Sequence, residues 1–226
     1  MARKALPSFS ALWEKHEEIY TGVFKAALQR LSEKHLDLSH EDRISEQLCL
    51  ILNQVCYEIS NPEREVPNPI WENPIHPVSE DELTNGRSNK RPDFTCKKVN
   101  SFAIDPSEHE ISFHIECKRL GSPTSRTWVL NERYVTNGIA RFDSAHEYGK
   151  RANSGMMVGY IIDMEADQIL AEVNQHQKRH LSHNPTLSFN FDGNKVSTAV
   201  QNLQRQNVLP QRFRLSHLWV DLKTCA

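Results

Sequence analysis

No apolar run in this sequence approaches the roughly 20 residues that a membrane-crossing helix requires. The opening residues, "MARKALPSFSALWEKHEE", include two early positive charges but no apolar stretch of the kind a secretory signal carries, so a cytoplasmic protein is expected. Cysteine is sparse and badly placed for cross-linking: there are 5, an odd count, with no CxxC pair. All five are expected to be reduced thiols. A zinc site built from them and the 11 histidines is not expected. The sequence also lacks GxxxxGK(S/T), which excludes nucleotide hydrolysis by a P-loop. No internal repeat or low-complexity tract interrupts it.

What remains is the profile of one soluble domain: 226 residues, 38% hydrophobic and 25% charged, enough to bury a real core. The net charge of −2 hides a division. Residues 1–89 carry 9 basic and 15 acidic side chains, whereas residues 90–151 carry 11 basic and 8 acidic ones. The basic surplus of the middle stretch suits an anionic substrate there, or ordinary solvated surface.

Residues 10–35 read as an amphipathic helix, with Leu12, Ile19, Val23, Ala27 and Leu31 forming its stripe. A second helix is expected from about 41 to 60, capped by Ser39, with Ile44, Leu48, Ile51, Leu52 and Val55 on one face. A long polar loop with five prolines follows. The period then changes to two. "DFTCKKV" reads as a short strand and "ISFHIECKRL" as a cleaner one, with Ile111, Phe113, Ile115 and Cys117 on one face and Ser112, His114, Glu116 and Lys118 on the other. "NERYVTNGIARFDSAHEYGK" is expected to be helical, "GMMVGYIID" a strand buried on both faces, and "EADQILAEVNQHQKRHL" a helix. "TLSFNFDG" and "FRLSHLWVDLK" read as later strands, with a possible short helix between them. The expected class is α/β or α+β, with helices packed on a central mixed sheet.

Asp93 follows a proline, which suits the start of a strand. Glu116 and Lys118 lie two apart on the next strand and so share a face. If the two strands pair, the Asp93 and Glu116 carboxylates converge at one sheet edge. Their repulsion is offset when they share a divalent cation. A lysine beside such an ion can orient or deprotonate the attacking water and stabilise charge on a phosphate.

Pro92-Asp93 followed by Glu116-Cys117-Lys118 resembles the PD-(D/E)xK nuclease superfamily, the restriction-endonuclease-like fold. The resemblance covers about residues 41–165 and implies a helix-strand-strand-strand-helix-strand core. It makes 41–226 the nuclease-like domain and 1–40 an added N-terminal helical extension. The superfamily's third strand has no obvious counterpart in "GSPTSRTWVLNERY", where "RTWVL" reads as strand or loop. The implied activity is Mg2+- or Mn2+-dependent hydrolysis of phosphodiester bonds, as an endonuclease on DNA. The alternatives are an RNase with the same site and a non-catalytic scaffolding subunit of the same fold. The implied catalytic residues are Asp93, Glu116, Lys118 and, on the first core helix, Glu46, with Glu41 and Glu58 as rivals. Asp93, Glu116 and Cys117 are the implied metal-holding positions. Arg141 is placed to clamp a phosphate, or to form a surface salt bridge, and Tyr134 is its neighbour in substrate binding. His114 shares the face of Glu116, and Arg119 points away from it. With little room for a separate sequence-reading domain, specificity is expected from a homodimer or from a partner subunit such as an ATPase. The range of roles implied is restriction, repair and phage defence.

Overall fold

The Ser8 hydroxyl accepts a hydrogen bond from the Ala11 amide at 3.3 Å and so opens the first helix, α1 (Phe9–Leu31). The second helix, α2 (Glu41–Ile59), carries Glu41 and Asp42 in its first turn, where the helix dipole favours negative charge. Its cap residue is His40 and not the expected Ser39, whose amide is turned onto Asp37. The computed structural model describes residues 8–144, 147, 148, 150, 152–206 and 208–223.

The proline-rich loop contains a two-residue strand, β1 (Ile70–Trp71), and a short helix, α3 (Glu80–Thr84). Next come β2 (Phe94–Val99) and β3 (Glu110–Leu120). The helix expected after them is built from three pieces: α4 (Leu130–Tyr134), a π-helical turn (Val135–Ile139) and α5 (Ala140–Phe142). It therefore ends well before the "HEYGK" that the sequence suggested, part of which lies outside the described residues. Then follow β4 (Ser154–Ile161), α6 (Ala166–His180), β5 (Val196–Gln204) and β6 (Arg212–Asp221).

The strands form a six-stranded mixed sheet in the order β1-β2-β3-β4-β6-β5. The central strands β3, β4 and β6 run parallel to their neighbours in that trio, and the flanking pairs are antiparallel. β4 is buried at every residue, as its continuous apolar run implies. Helices cover both faces of the sheet. On one face, the Trp13 indole donates to Ser154 Oγ at 2.9 Å and packs edge-on to Phe113, while Ser45 of α2 meets the Tyr160 hydroxyl at 3.2 Å. On the other, Tyr134 meets His217 and Trp219, and Phe142 packs on Phe213. The buried face of α1 is broader than its expected stripe, because Trp13, Tyr20, Phe24 and Leu28 join Val23, Ala27 and Leu31. These residues share one hydrophobic cluster with the sheet. None of the described helices is long and apolar enough to cross a membrane.

Two late expectations are corrected. "TLSFNFDG" is not a strand: Phe189 and Phe191 stack on each other at 5.4 Å and lie against Trp219, so its aromatic alternation serves side-chain packing without a ladder. The region expected to hold a short helix instead contains β5, paired antiparallel with β6. "RTWVL" forms no strand beyond an isolated bridge between Ser125 and Trp128.

Candidate active site

The β2–β3 ladder is antiparallel and pairs Phe94 with Ile115. One step beyond its end, the same register sets Asp93 opposite Glu116, so both carboxylates project on the same face. Asp93 is fixed further by its backbone and side chain. Its carbonyl accepts from the Glu72 amide at 3.0 Å, and its Oδ2 accepts from the Cys117 amide at 2.6 Å. The polar face of β3 is not open to water. His114 and Glu116 are both buried, Glu116 to within 1% of full burial, beneath the helical stretch of α4 and α5 and the segment holding Tyr148.

Lys118 is the electrostatic centre of the site. Its Nζ lies 2.8 Å from Glu116 Oε1, 2.8 Å from Glu41 Oε1 and 4.0 Å from Asp93 Oδ2. It also donates to the Cys117 carbonyl at 2.6 Å. Burial alone would lower the Lys118 pKa, but Glu116, Glu41 and Asp93 together hold it above the ordinary lysine value. Burial, reinforced by the Glu116 charge, pushes the Asp93 carboxyl up to about 8, against the opposing pull of Lys118. A close approach of the helix makes this arrangement possible. A Cβ on Gly138 would meet the Met157 side chain at 2.4 Å and Lys118 Cγ at 3.7 Å, so glycine lets the π turn press onto β4 and the lysine stem.

The remaining candidates divide clearly. Arg141 joins the cluster: its Nη1 donates to Glu116 Oε1 at 2.7 Å and to the Tyr148 hydroxyl at 2.5 Å. Tyr148 in turn donates to the Arg91 carbonyl at 2.9 Å. Cys117 contributes its backbone; its thiol is fully buried against Tyr160. Glu46 is not in the cluster. It pairs with Arg43 at 3.1 Å on the outer face of α2, because a helix sends residues 41 and 46 about 140° apart. Glu41 takes the expected place of the helix acid, and its Oε2 also accepts from the Arg119 amide at 2.9 Å. Glu58 is paired at the surface with Arg30. Tyr134 is fully buried, with its hydroxyl bonded to His217 and Trp219, and cannot touch a substrate. His114 bonds Thr95 at 3.1 Å.

A cleft of about 330 Å³ opens beside the cluster. Its walls include Glu41, Lys118, Arg119, Trp128, Arg133 and Arg141. Trp128 is 45% exposed, and the Arg133 guanidinium lies 3.3 Å above its ring. Cations and a flat aromatic surface thus adjoin the carboxylates. Sequence reasoning missed Tyr148, because the stretch read as helix and a lone tyrosine gives no signal of its own. It named Glu41 only as a rival, although its position at the helix start, where carboxylates are favoured, was a usable sign.

Glu116 Oε2 is buried with no hydrogen-bond partner, which leaves a carboxylate lone pair free in the site. The Asp93 and Glu116 carboxylates and the Cys117 carbonyl are hard oxygen donors of the kind Mg2+ and Mn2+ take, so these residues could hold one such ion. No family model, curated protein or solved structure matches the chain.

Proposed function

We propose that this chain is a metal-dependent nuclease of the restriction-endonuclease-like class, hydrolysing phosphodiester bonds in DNA. The observation that carries the reading is the convergence of Asp93, Glu116 and Lys118 at one sheet edge, with a buried carboxylate oxygen of Glu116 left unpartnered. The element order supports it. From α2 through β1, β2, β3 and the α4–α5 helix to β4, the chain runs helix, three strands, helix, strand, with short α3 and two 3-10 turns, Arg87–Asn89 and Pro106–Glu108, inserted. On this reading β1, which precedes Asp93, stands for the third strand that the resemblance calls for.

A divalent cation held by Asp93, Glu116 and the Cys117 carbonyl would supply Lewis acidity and an activated water. The chain's own residues do the rest. Lys118, kept protonated by its carboxylate neighbours, serves as a fixed positive charge facing the charge that builds on the phosphate, and not as a base. Glu41 orients that ammonium. Arg141 neutralises Glu116 in the free protein and is positioned to bond a phosphate oxygen when substrate enters. Arg133 and Trp128 offer a cation and a stacking surface to the flanking nucleotide. The chain's partners on this reading are nucleic acid and either a second copy or a separate subunit such as an ATPase, in restriction, repair or phage defence. Incubation with plasmid, linear DNA and RNA in Mg2+, in Mn2+ and in chelator tests it. Cleavage that requires the metal is expected, and no cleavage of any substrate in either metal would count against it.

A further inference from the structure

α6 carries His176 and His180 four residues apart, so both imidazoles leave the same face of the helix, and their rings stack at 6.4 Å with only 14° between planes. Facing them is Glu132, in the first turn of α4. Glu132 Oε1 lies 3.0 Å from His180 Nε2 and 3.7 Å from His176 Nδ1, and the three donor atoms all lie within 4.8 Å of one another. Zn2+ bonds of about 2.0–2.1 Å in a tetrahedron put neighbouring donor atoms roughly 3.4 Å apart. The two separations from Glu132 bracket that value and no pair of donors exceeds 4.8 Å, so side-chain shifts bring all three onto one ion. His176 Nδ1 is buried without a hydrogen-bond partner and faces this space, while His180 keeps 35% of its side chain exposed and leaves a path for water. Two imidazoles and one carboxylate form a borderline nitrogen–oxygen set, unlike the all-oxygen set at Asp93 and Glu116.

We infer that Glu132, His176 and His180 form a second metal site that takes Zn2+, with water in the fourth position. The ion ties α4 to α6. Glu132 directly precedes Arg133, so the same ion braces the wall of the cleft that carries Arg133 and its stacked Trp128.

The test is a titration of the full chain with Zn2+, and with Co2+ as its spectroscopic substitute, in excess Mg2+. It compares wild type, His180→Ala, Glu132→Gln and, as a control at the carboxylate cluster, Asp93→Asn. Even outer-shell partners of a metal change its affinity roughly 10–100-fold, so losing a ligand should weaken binding by about tenfold or more. Wild type and Asp93→Asn should each bind one ion with a nitrogen–oxygen Co2+ spectrum. His180→Ala and Glu132→Gln should both lose that affinity while keeping the wild-type circular dichroism without metal. Zn2+ should raise the melting temperature of wild type and not of His180→Ala. The inference is overturned if wild type binds no ion in excess Mg2+ or if both ligand variants bind as wild type does. It is equally overturned if Asp93→Asn loses the ion, or if the Co2+ spectrum carries a thiolate charge-transfer band.

Discussion

Asp93→Asn replaces an ionisable carboxyl with a neutral amide that keeps an oxygen able to accept from the Cys117 amide. The folded protein holds a proton on Asp93 up to about pH 8, whereas an ordinary aspartate releases it near 3.8. Between those values the folded state binds more protons than the unfolded state, so this residue lowers stability as pH rises. The cost is absent at pH 4, grows through neutrality and levels off above about pH 8. Each pH unit is worth about 1.4 kcal/mol, which sets a ceiling of roughly 6 kcal/mol. The side chain is 23% exposed. Water screens it there, and a realised gain of about 2 kcal/mol is expected for the variant at pH 8. Urea unfolding of both proteins in chelator from pH 4 to 8.5 measures it. The variant should match wild type at pH 4 and exceed it increasingly towards pH 8. A difference that is flat with pH, or that favours wild type at pH 8, would show that Asp93 does not hold its proton in the folded state.

Lys118→Ala should abolish cleavage. It also leaves Glu41 without its ammonium partner and Glu116 with Arg141 alone, so a loss of about 3 kcal/mol in chelator is expected, partly recovered in Mg2+; thermal melts with and without the ion check this. Glu41→Gln should lower the cleavage rate roughly tenfold or more through a misplaced ammonium, whereas Glu46→Ala should leave the rate unchanged, as single-turnover assays would reveal. Arg141→Ala should weaken nucleic-acid binding and reduce the salt dependence of affinity by about one phosphate contact, measurable by fluorescence anisotropy across salt concentrations.

The carboxylate pair was legible because strand chemistry is local: a proline sets the strand start, and period two puts Glu116 and Lys118 on one face. The antiparallel pairing that brings Asp93 opposite Glu116 needed only two neighbouring strands. Glu46 misled because the choice among acids on α2 depends on how the helix is rotated against β3, which only packing decides. Glu41 reaches Lys118 across 77 residues of sequence. Tyr134 looked like a substrate contact beside Arg141, but the π turn rotates it into the core against Trp219 and His217. β5 was hidden for a different reason. It is an edge strand with a broken burial pattern, and Gln201, Asn202 and Gln204 give little of the β-branched signal by which strands are read. The stretch at Phe189 and Phe191 showed the converse, since aromatic alternation can arise from stacking without a ladder.

Whether the Asp93–Glu116–Lys118 cluster cleaves phosphodiester bonds is decided by incubating plasmid DNA in Mn2+ with wild type and with Glu116→Gln prepared side by side. Wild type should cut and chelator should stop it, while the variant should fold, bind the DNA and leave it intact. Equal cutting by the two proteins, or none by wild type with any nucleic acid, would contradict this role of the cluster.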